Sequence, residues 1–410
     1  MATNKEVPII RFKGFEEKWE PKKLGEISES YSGGTPSVGV KSYYNGEIPF
    51  IRSGEINSPL TELFITENGL LNSSAKMVEV GDILYALYGA TSGEVGISKI
   101  KGAINQAILA IKPKNTYNNF FLAYWLRKKK AEIVSTYLQG GQGNLSGNII
   151  KSLKVLAPLN SNCLEQAQIG DFFKELDRII NLQEHKLEKV KNLKKAMLEK
   201  MFTKEHDATP ELRFKGFTET WEKKKLEDCL ITSTDKNLEN KFDKNDVLSV
   251  SGDVGIVNQI AFQGRSFAGV SVANYGIVCF GDVVYTKSPL KANPYGIIKA
   301  NKGKDGIVST LYAVYKVKEN IDASFVEYYF DLDNRLNKYL KPLVNKGAKN
   351  DMKISDDNAL KGYVTFPKQK IEQKKIANFF QTLDQLIVET QLKTEKVKHL
   401  KQALLQKMFI

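Results

Sequence analysis

Cysteine is scarce and scattered: Cys163, Cys229 and Cys279 stand alone, with no CxxC spacing among them. An odd, dispersed set excludes a disulfide framework and a thiolate zinc site and leaves ordinary thiols. Only three histidines occur, His185, His206 and His399, too few and too far apart for a metal cluster. No apolar run approaches the roughly 20 residues that cross a bilayer. The opening MATNKEVPII has no apolar signal core, so a cytoplasmic chain without a membrane partner is expected. Phosphate-cradling loops are missing as well. The nearest string, GDVVYTKS at Gly281–Ser288, lacks the second glycine of a P-loop, and no GxGxxG follows a strand pattern. The chain itself is expected to hold no cofactor and no metal, and to carry no catalytic residue.

Charge of one sign is only mildly in excess. The net charge of +13 points toward a polyanionic partner. The excess is nevertheless spread: 19 basic against 14 acidic residues over 1–160, 9 against 8 over 161–205, 23 against 21 over 206–367, and 9 against 4 over 368–410. A nucleic-acid surface must therefore be a local patch rather than a basic tail. With 42% hydrophobic residues in 410, the composition is that of a folded chain of two domains or more.

What is present in abundance is repetition. RFKGFEEKWEPKKL from Arg11 returns as RFKGFTETWEKKKL from Arg213. GDILY from Gly81 returns as GDVVY from Gly281, and GAINQAILAIKPK from Gly102 is answered by GIVSTLYAVYKVK from Gly306. EQAQIGDFFKELDRII from Glu165 is answered by EQKKIANFFQTLDQLI from Glu372, and the tails EKVKNLKKAMLEKMF and EKVKHLKQALLQKMF end at Phe202 and Phe409. The order is the same in both halves, so the chain is two copies of one module. Between the matched strings the halves diverge: SYYNGEIPFIRSGEIN, around Tyr43–Asn57, has no counterpart near Lys241–Gln259.

GDILYALYGA, AILAIKP, GDVVYTKS and STLYAVYKV are short β-branched and aromatic runs bounded by Gly, Asn or Pro, which predicts strands. One helix is expected in each globular part, from Asn118 and from Ser324. Each tail reads as a long amphipathic helix. Ile169, Phe173, Leu176, Ile180, Leu187, Val190, Met197 and Met201 fall on one seam, broken at Gln183 and Lys194. The second copy places Thr390 and Lys401 where the first has those two breaks. At 1.5 Å per residue each helix is roughly 50–60 Å long. Its natural partner is its own copy, antiparallel, about a pseudo-twofold axis. The expected architecture is α+β: a first strand-rich domain at 1–160, a central helix at 161–205, a second strand-rich domain at 206–367 and a C-terminal helix at 368–410. Phe12, Phe15 and Trp19, kept in both copies, are expected to pack onto a helix end.

This layout resembles the specificity subunit of type I restriction–modification enzymes. The resemblance rests on the doubled RFKGF entry with its Trp and KKL, and on IPFIRSGEI (Ile48–Ile56), GATSGEVGI (Gly89–Ile97) and NQAILAI (Asn105–Ile111). The paired EQ…FF…LD…EKVK…KMF helices complete it. It implies two target-recognition domains, each reading one half of a bipartite, asymmetric site on double-stranded DNA. The helices would act as spacer and as the docking surface for two methyltransferase subunits. S-adenosylmethionine would sit on those subunits, and ATP on separate restriction and translocation subunits that join the complex. The second half departs from the pattern where KSPLKANPYG (Lys287–Gly296) replaces the GAT segment. A coiled-coil scaffold that binds only protein, or a self-contained methyltransferase or nuclease, are the competing readings.

Candidate DNA-binding residues lie on polar loops at matching positions. In the first half they are Lys41, Tyr43, Tyr44, Arg52, Ser53, Tyr88, Thr91, Ser92, Gln142 and Asn144. In the second they are Ser251, Arg265, Lys287, Lys291, Lys346 and Lys349. Arg, Gln and Asn have the donor and acceptor geometry for base edges, whereas the lysines suit phosphates. The NPYG string at Asn293 is read as a turn, and the RKKK run at Arg127–Lys130 is as well explained by a solvated helix face as by a phosphate patch. Replacing the loop Gly140–Gly147 is expected to change one half of the recognised sequence only; a methylation map that lost both halves together would refute this.

Overall fold

Two strings of the repeat meet at the root of each long helix, and the chemistry is the same both times. In the computed structural model, which describes residues 6–114, 116–138, 144–158, 163–204, 207–346 and 352–410, Arg11 grips Glu165 through both carboxylate oxygens, at 2.6 and 2.8 Å. Arg213 grips Glu372 in the same way, at 2.7 and 2.8 Å. Both glutamates are buried, so each ion pair persists only because the bidentate geometry replaces the lost water. The next residue does equal duty. Gln166 accepts from Asn118 N and donates to Pro158 O, while Gln373 accepts from Asp322 N and donates to Pro367 O.

The chain forms two units: Met1–Glu184 with Leu392–Ile410, and His185–Gln391. The first is built on an antiparallel sheet in the order Ser28–Ser32, Ile108–Pro113, Ile83–Ala86, Val95–Ile97. The second repeats it as Leu230–Thr232, Tyr312–Val317, Val283–Thr286, Ile298–Ala300. Each unit adds a two-stranded ladder that ties the KKL entry to the strand before the long helix: Glu20–Lys23 with Lys154–Ala157, and Glu222–Lys225 with Tyr363–Phe366.

The divergent strings build unlike second layers. In the first unit Phe64–Ile65, Tyr44–Ile51, Gly102–Ile104 and Lys76–Val78 form one four-stranded sheet, which includes a parallel pairing of Phe50 with Ala103. In the second unit the hairpin Leu248–Ser251/Gly255–Asn258 and the pair Gly276–Val278/Gly306–Val308 stay separate ladders. A single parallel bridge, Val247 to Ile307, stands between them.

The expected helix after Asn118 is present as Asn119–Tyr137, its first turn capped by the Asn118 side chain, which accepts from Phe121 N at 3.0 Å. Its counterpart is broken into Ala323–Tyr329 and Asp333–Leu340. The break falls at Phe330–Leu332, beside a cluster of Asp and Asn that favour turns over helix interiors. Asp331 is drawn inward to Lys299 at 2.8 Å and Lys194 at 2.7 Å. Burial alone would raise its carboxyl, but the two ammonium groups hold it down at about 2.

The long helices run Leu164–Lys200 and Lys370–Met408, and within each unit their segments pair antiparallel. In the first unit Lys398 meets Glu184 at 2.9 Å, Lys401 meets Asp177, and Phe409 lies 5.7 Å from Phe173. In the second Lys194 meets Asp384 at 2.7 Å and Phe202 stacks on Phe380 at 5.8 Å. The lysine breaks in both seams are thus ion-paired across the helix pair. The helix tips complete the cores. Phe409 packs against Phe121 at 5.1 Å and Trp19 at 6.5 Å; Phe202 packs against Phe325 at 5.4 Å and Trp221 at 6.3 Å. Phe12 sits edge-on to Phe172 at 5.9 Å, as Phe214 does to Phe379 at 6.2 Å.

Each tip therefore stabilises one unit. Phe409→Ala is expected to cost about 3–5 kcal/mol and to lower hydrogen-exchange protection in the first unit's sheet, while Phe202→Ala does so in the second. Equal loss in both units from either change would show that the plugs are not local.

Candidate nucleic-acid interface

In the first unit three of the predicted segments converge. The turn Gly89–Thr91 follows the strand Ile83–Ala86, and its hydroxyls close the turn on itself: Ser92 Oγ donates to Gly89 O at 2.8 Å and Thr91 Oγ1 to Tyr88 O at 3.4 Å. Asn144 bridges to Tyr88, and Leu145 N donates to Leu87 O at 3.0 Å. The turn Ser53–Glu55 ends at Ile56, whose carbonyl lies so close to Gly96 that any Cβ there would stand 2.2 Å from it. Gln142 lies outside the described residues.

Lys41, Tyr43 and Tyr44 stand elsewhere in the same layer. Lys41 is exposed at the start of the turn Lys41–Tyr43, Tyr43 O accepts from Thr66 N, and Tyr44 is partly buried with its hydroxyl on Pro36 O. Ser53 is half-buried. Arg52 is held by two carboxylates, Glu55 at 2.7 Å and Glu62 at 2.7 Å. Burial pushes the Glu55 carboxyl up, yet the Arg52 bonds outweigh it and bring it to about 2. A depressed folded-state pKa stabilises the fold above the unfolded value, so this pair contributes at neutral pH and fades only as pH falls from the ordinary carboxylate range toward about 2.

The second unit distributes its candidates differently. Ser251 Oγ accepts from Asp253 N and Val254 N at the hairpin bend. Lys287 pairs with Asp356 at 2.9 Å, and Lys291 is exposed on the loop that follows. The NPYG string forms the turn expected: Gly296 N donates to Asn293 O at 3.0 Å with Gly296 at φ +92°. Asn293 and Asn337 tether this loop to the helix Asp333–Leu340, through Asp333 at 2.7 Å and Ala292 O at 3.0 Å. Lys346 lies in the short strand Asn345–Lys346, and Lys349 lies outside the described residues.

The RKKK run belongs to the frame. Arg127 reaches Val95 O and Asp177 and covers the Tyr124 ring at 4.8 Å. Lys128 donates to Phe409 O, Lys129 pairs with Glu132, and Lys130 pairs with Glu94. Sequence reading missed the residues that hold Arg265 in place. Gln259 Oε1 accepts from Phe267 N at 2.7 Å, and the Arg265 guanidinium lies over the exposed Phe267 ring at 4.6 Å. The spacing Arg-x-Phe was the only signal, and exposure of a phenylalanine cannot be read from it. Among the described residues no cluster of three or more His, Cys, Asp or Glu is placed to hold a metal ion, and no described helix is long and apolar enough to cross a membrane.

Residues 16–192 match the family model described as "Type I restriction modification DNA specificity domain". The chain is 25% identical over 225 residues to the type I restriction enzyme MjaVIII specificity subunit of Methanocaldococcus jannaschii, covering 54% of this chain and 51% of that one. It thus spans about half the length of that relative. A second protein of M. jannaschii, which carries the provisional name MjaX specificity subunit, is 25% identical over 95% of this chain and 92% of its own. The crystal structure of a type I S subunit from M. genitalium shares the fold, with a TM-score of 0.63 at 15% identity over 98% of this chain and 99% of that chain. Residues 16–192 thus carry a type I restriction–modification DNA specificity domain, and the chain over nearly its whole length is similar to type I specificity subunits.

Proposed function

We propose that this chain is the non-catalytic recognition subunit of a type I restriction–modification complex. In this reading each unit reads one half of an asymmetric, bipartite site on double-stranded DNA. One observation carries it: two equal mounts bear two unlike outer layers. The roots (Arg11–Glu165, Arg213–Glu372) and the tip plugs (Phe409, Phe202) are duplicated, while the layers around Tyr44–Ile51 and Leu248–Ser251 are not. A protein that needed only rigidity would have no use for that divergence, and one that read a symmetric site would keep both layers alike.

Each long helix contributes its first part to one unit and its last part to the other. The helices are proposed to set the spacer between half-sites. Their solvent-facing apolar residues, such as Leu182, Leu400, Leu193 and Val388, are proposed to dock two methyltransferase subunits. Cofactor chemistry would then belong to those partners, S-adenosylmethionine on the methyltransferase and ATP on restriction subunits. The predicted loop residues enter as the readers. Ser53, Tyr88, Thr91, Ser92 and Asn144 form one group in the first unit; Ser251, Arg265 and Lys291 serve the second.

Two outcomes test this. Inserting residues near Glu184–Lys191 in the first helix, with a matched insertion in the second, is expected to lengthen the methylated spacer and leave both half-sites unchanged; a map with altered half-sites would refute the division of labour. Glu55→Gln with Glu62→Gln releases Arg52, and duplex affinity is expected to rise with a steeper salt dependence, by about one unit of log–log slope. An unchanged slope would leave Arg52 a folding element only.

A further inference from the structure

The sequence holds seven arginines, Arg11, Arg52, Arg127, Arg178, Arg213, Arg265 and Arg335. Six of them donate to a protein acceptor: Glu165, Glu55 with Glu62, Asp177, Glu175, Glu372, and the carbonyls of Tyr329 and Leu198. Arg265 is the exception. Among the described residues no acceptor takes a hydrogen bond from it, and the Phe267 ring lies 4.6 Å from the guanidinium carbon.

Its setting is ordered. The helix Gln259–Gln263 ends at Gly264, in the left-handed region at φ +77°, whose N–H closes on Ile260 O at 2.8 Å. The chain then doubles back so that Gln259 Oε1 takes the Phe267 N–H, while Gln259 Nε2 reaches the buried Ser249 Oγ at 3.3 Å. The Arg265–Phe267 pair is thereby anchored to the hairpin Leu248–Ser251/Gly255–Asn258, in the layer that the first unit does not share. Close by in the sequence, Phe262, Phe267 and Val270 are 49%, 56% and 97% exposed.

Resting on the DNA-reading function above, we propose that Arg265 reads a guanine in the half-site of the second unit. A guanidinium seated over a ring still has N–H donors to offer outward, and a guanidinium fork matches the O6 and N7 acceptors of guanine in the major groove. Cation–π contact with Phe267 restrains the guanidinium and limits the rotamer freedom lost on binding. The exposed Phe262 and Val270 side chains suit the 5-methyl of a neighbouring thymine. Phe267, Gln259 and Ser249 are positioning residues: they touch no base but set the angle of the one that does. The first unit has no equivalent, because Arg52 there is neutralised by Glu55 and Glu62.

The test uses the full chain assembled with its methyltransferase subunits and selected against a pool of random duplexes. The wild type is expected to enrich a two-part motif. Arg265→Ala and Arg265→Lys are each expected to lose preference at one G·C pair in one half, with roughly 10- to 100-fold weaker binding to the selected duplex. The other half should be unaffected. Placing 7-deazaguanine at that pair, which removes N7, is expected to weaken the wild type but add nothing to the loss in Arg265→Ala. If Arg265→Ala weakens binding to all sequences alike and leaves every base preference in place, the contact is to phosphate and the inference fails. It fails too if Arg265→Ala disturbs assembly with the protein partners and no base pair. A wild-type complex that enriches no two-part motif overturns the DNA-reading function itself, a result distinct from a sound motif that Arg265 does not affect.

Discussion

A long amphipathic helix has more apolar stripe than a small sheet domain can cover, and the aromatic tips Phe202 and Phe409 are where that demand is met. Each is almost fully buried among three or more rings contributed by the repeated entry, the short helix and the opposing long helix. Aromatic pairs at 5–6.5 Å with tilted or edge-on geometry add specificity to the burial. Because the tip of one helix belongs to the core built around the root of the other, neither half of the sequence completes a unit by itself. Duplication is therefore a folding requirement.

Charge then fixes register where apolar packing alone would tolerate a slip. Lys401 meets Asp177, which also takes the Tyr124 hydroxyl at 2.6 Å; Lys194 meets Asp384, which takes the Tyr328 hydroxyl at 2.8 Å. A lysine on a seam is costly unless paired, so a shifted helix would strand a charge in the core. The second unit extends its cluster through Asp331, Lys299 and Glu327, with Asp331 at the point where its helix breaks. The same polar interruption that holds register in both units thus reshapes one of them.

With the mounts equal, the difference between the units is concentrated in the outer layers. Gly96 is part of that difference: its missing Cβ lets the Ser53–Ile56 turn lie directly on the inner sheet of the first unit. In the second unit the outer strands remain as separate ladders joined by one bridge, Val247 to Ile307, which leaves room for the helix Gln259–Gln263 and its exposed loop. Arginines follow the same division. Those at Arg11, Arg127 and Arg213 hold the frame, and the one without an acceptor stands on the layer that is not repeated.

Much of the frame was legible beforehand because it is governed by periodicity, which is local. The seam from Ile169 to Met201, its repeated breaks and the strand runs opening with GDILY and GDVVY are properties of spacing, and the pairing of each long helix with its own copy followed from their matching seams. The candidate interface was legible only in outline. Loop positions could be named from composition, but not whether Arg52 and Lys287 would be neutralised, nor that Lys128 would bind Phe409 O rather than a phosphate. By itself the sequence determined that there are two modules, where their long helices lie and which residues they share. Tertiary structure decided which charges remain available, because an ion pair between Arg52 and Glu62, or a ring beneath Arg265, depends on how separate turns and strands are brought together in space. That convergence is set by packing rather than by any spacing along the chain.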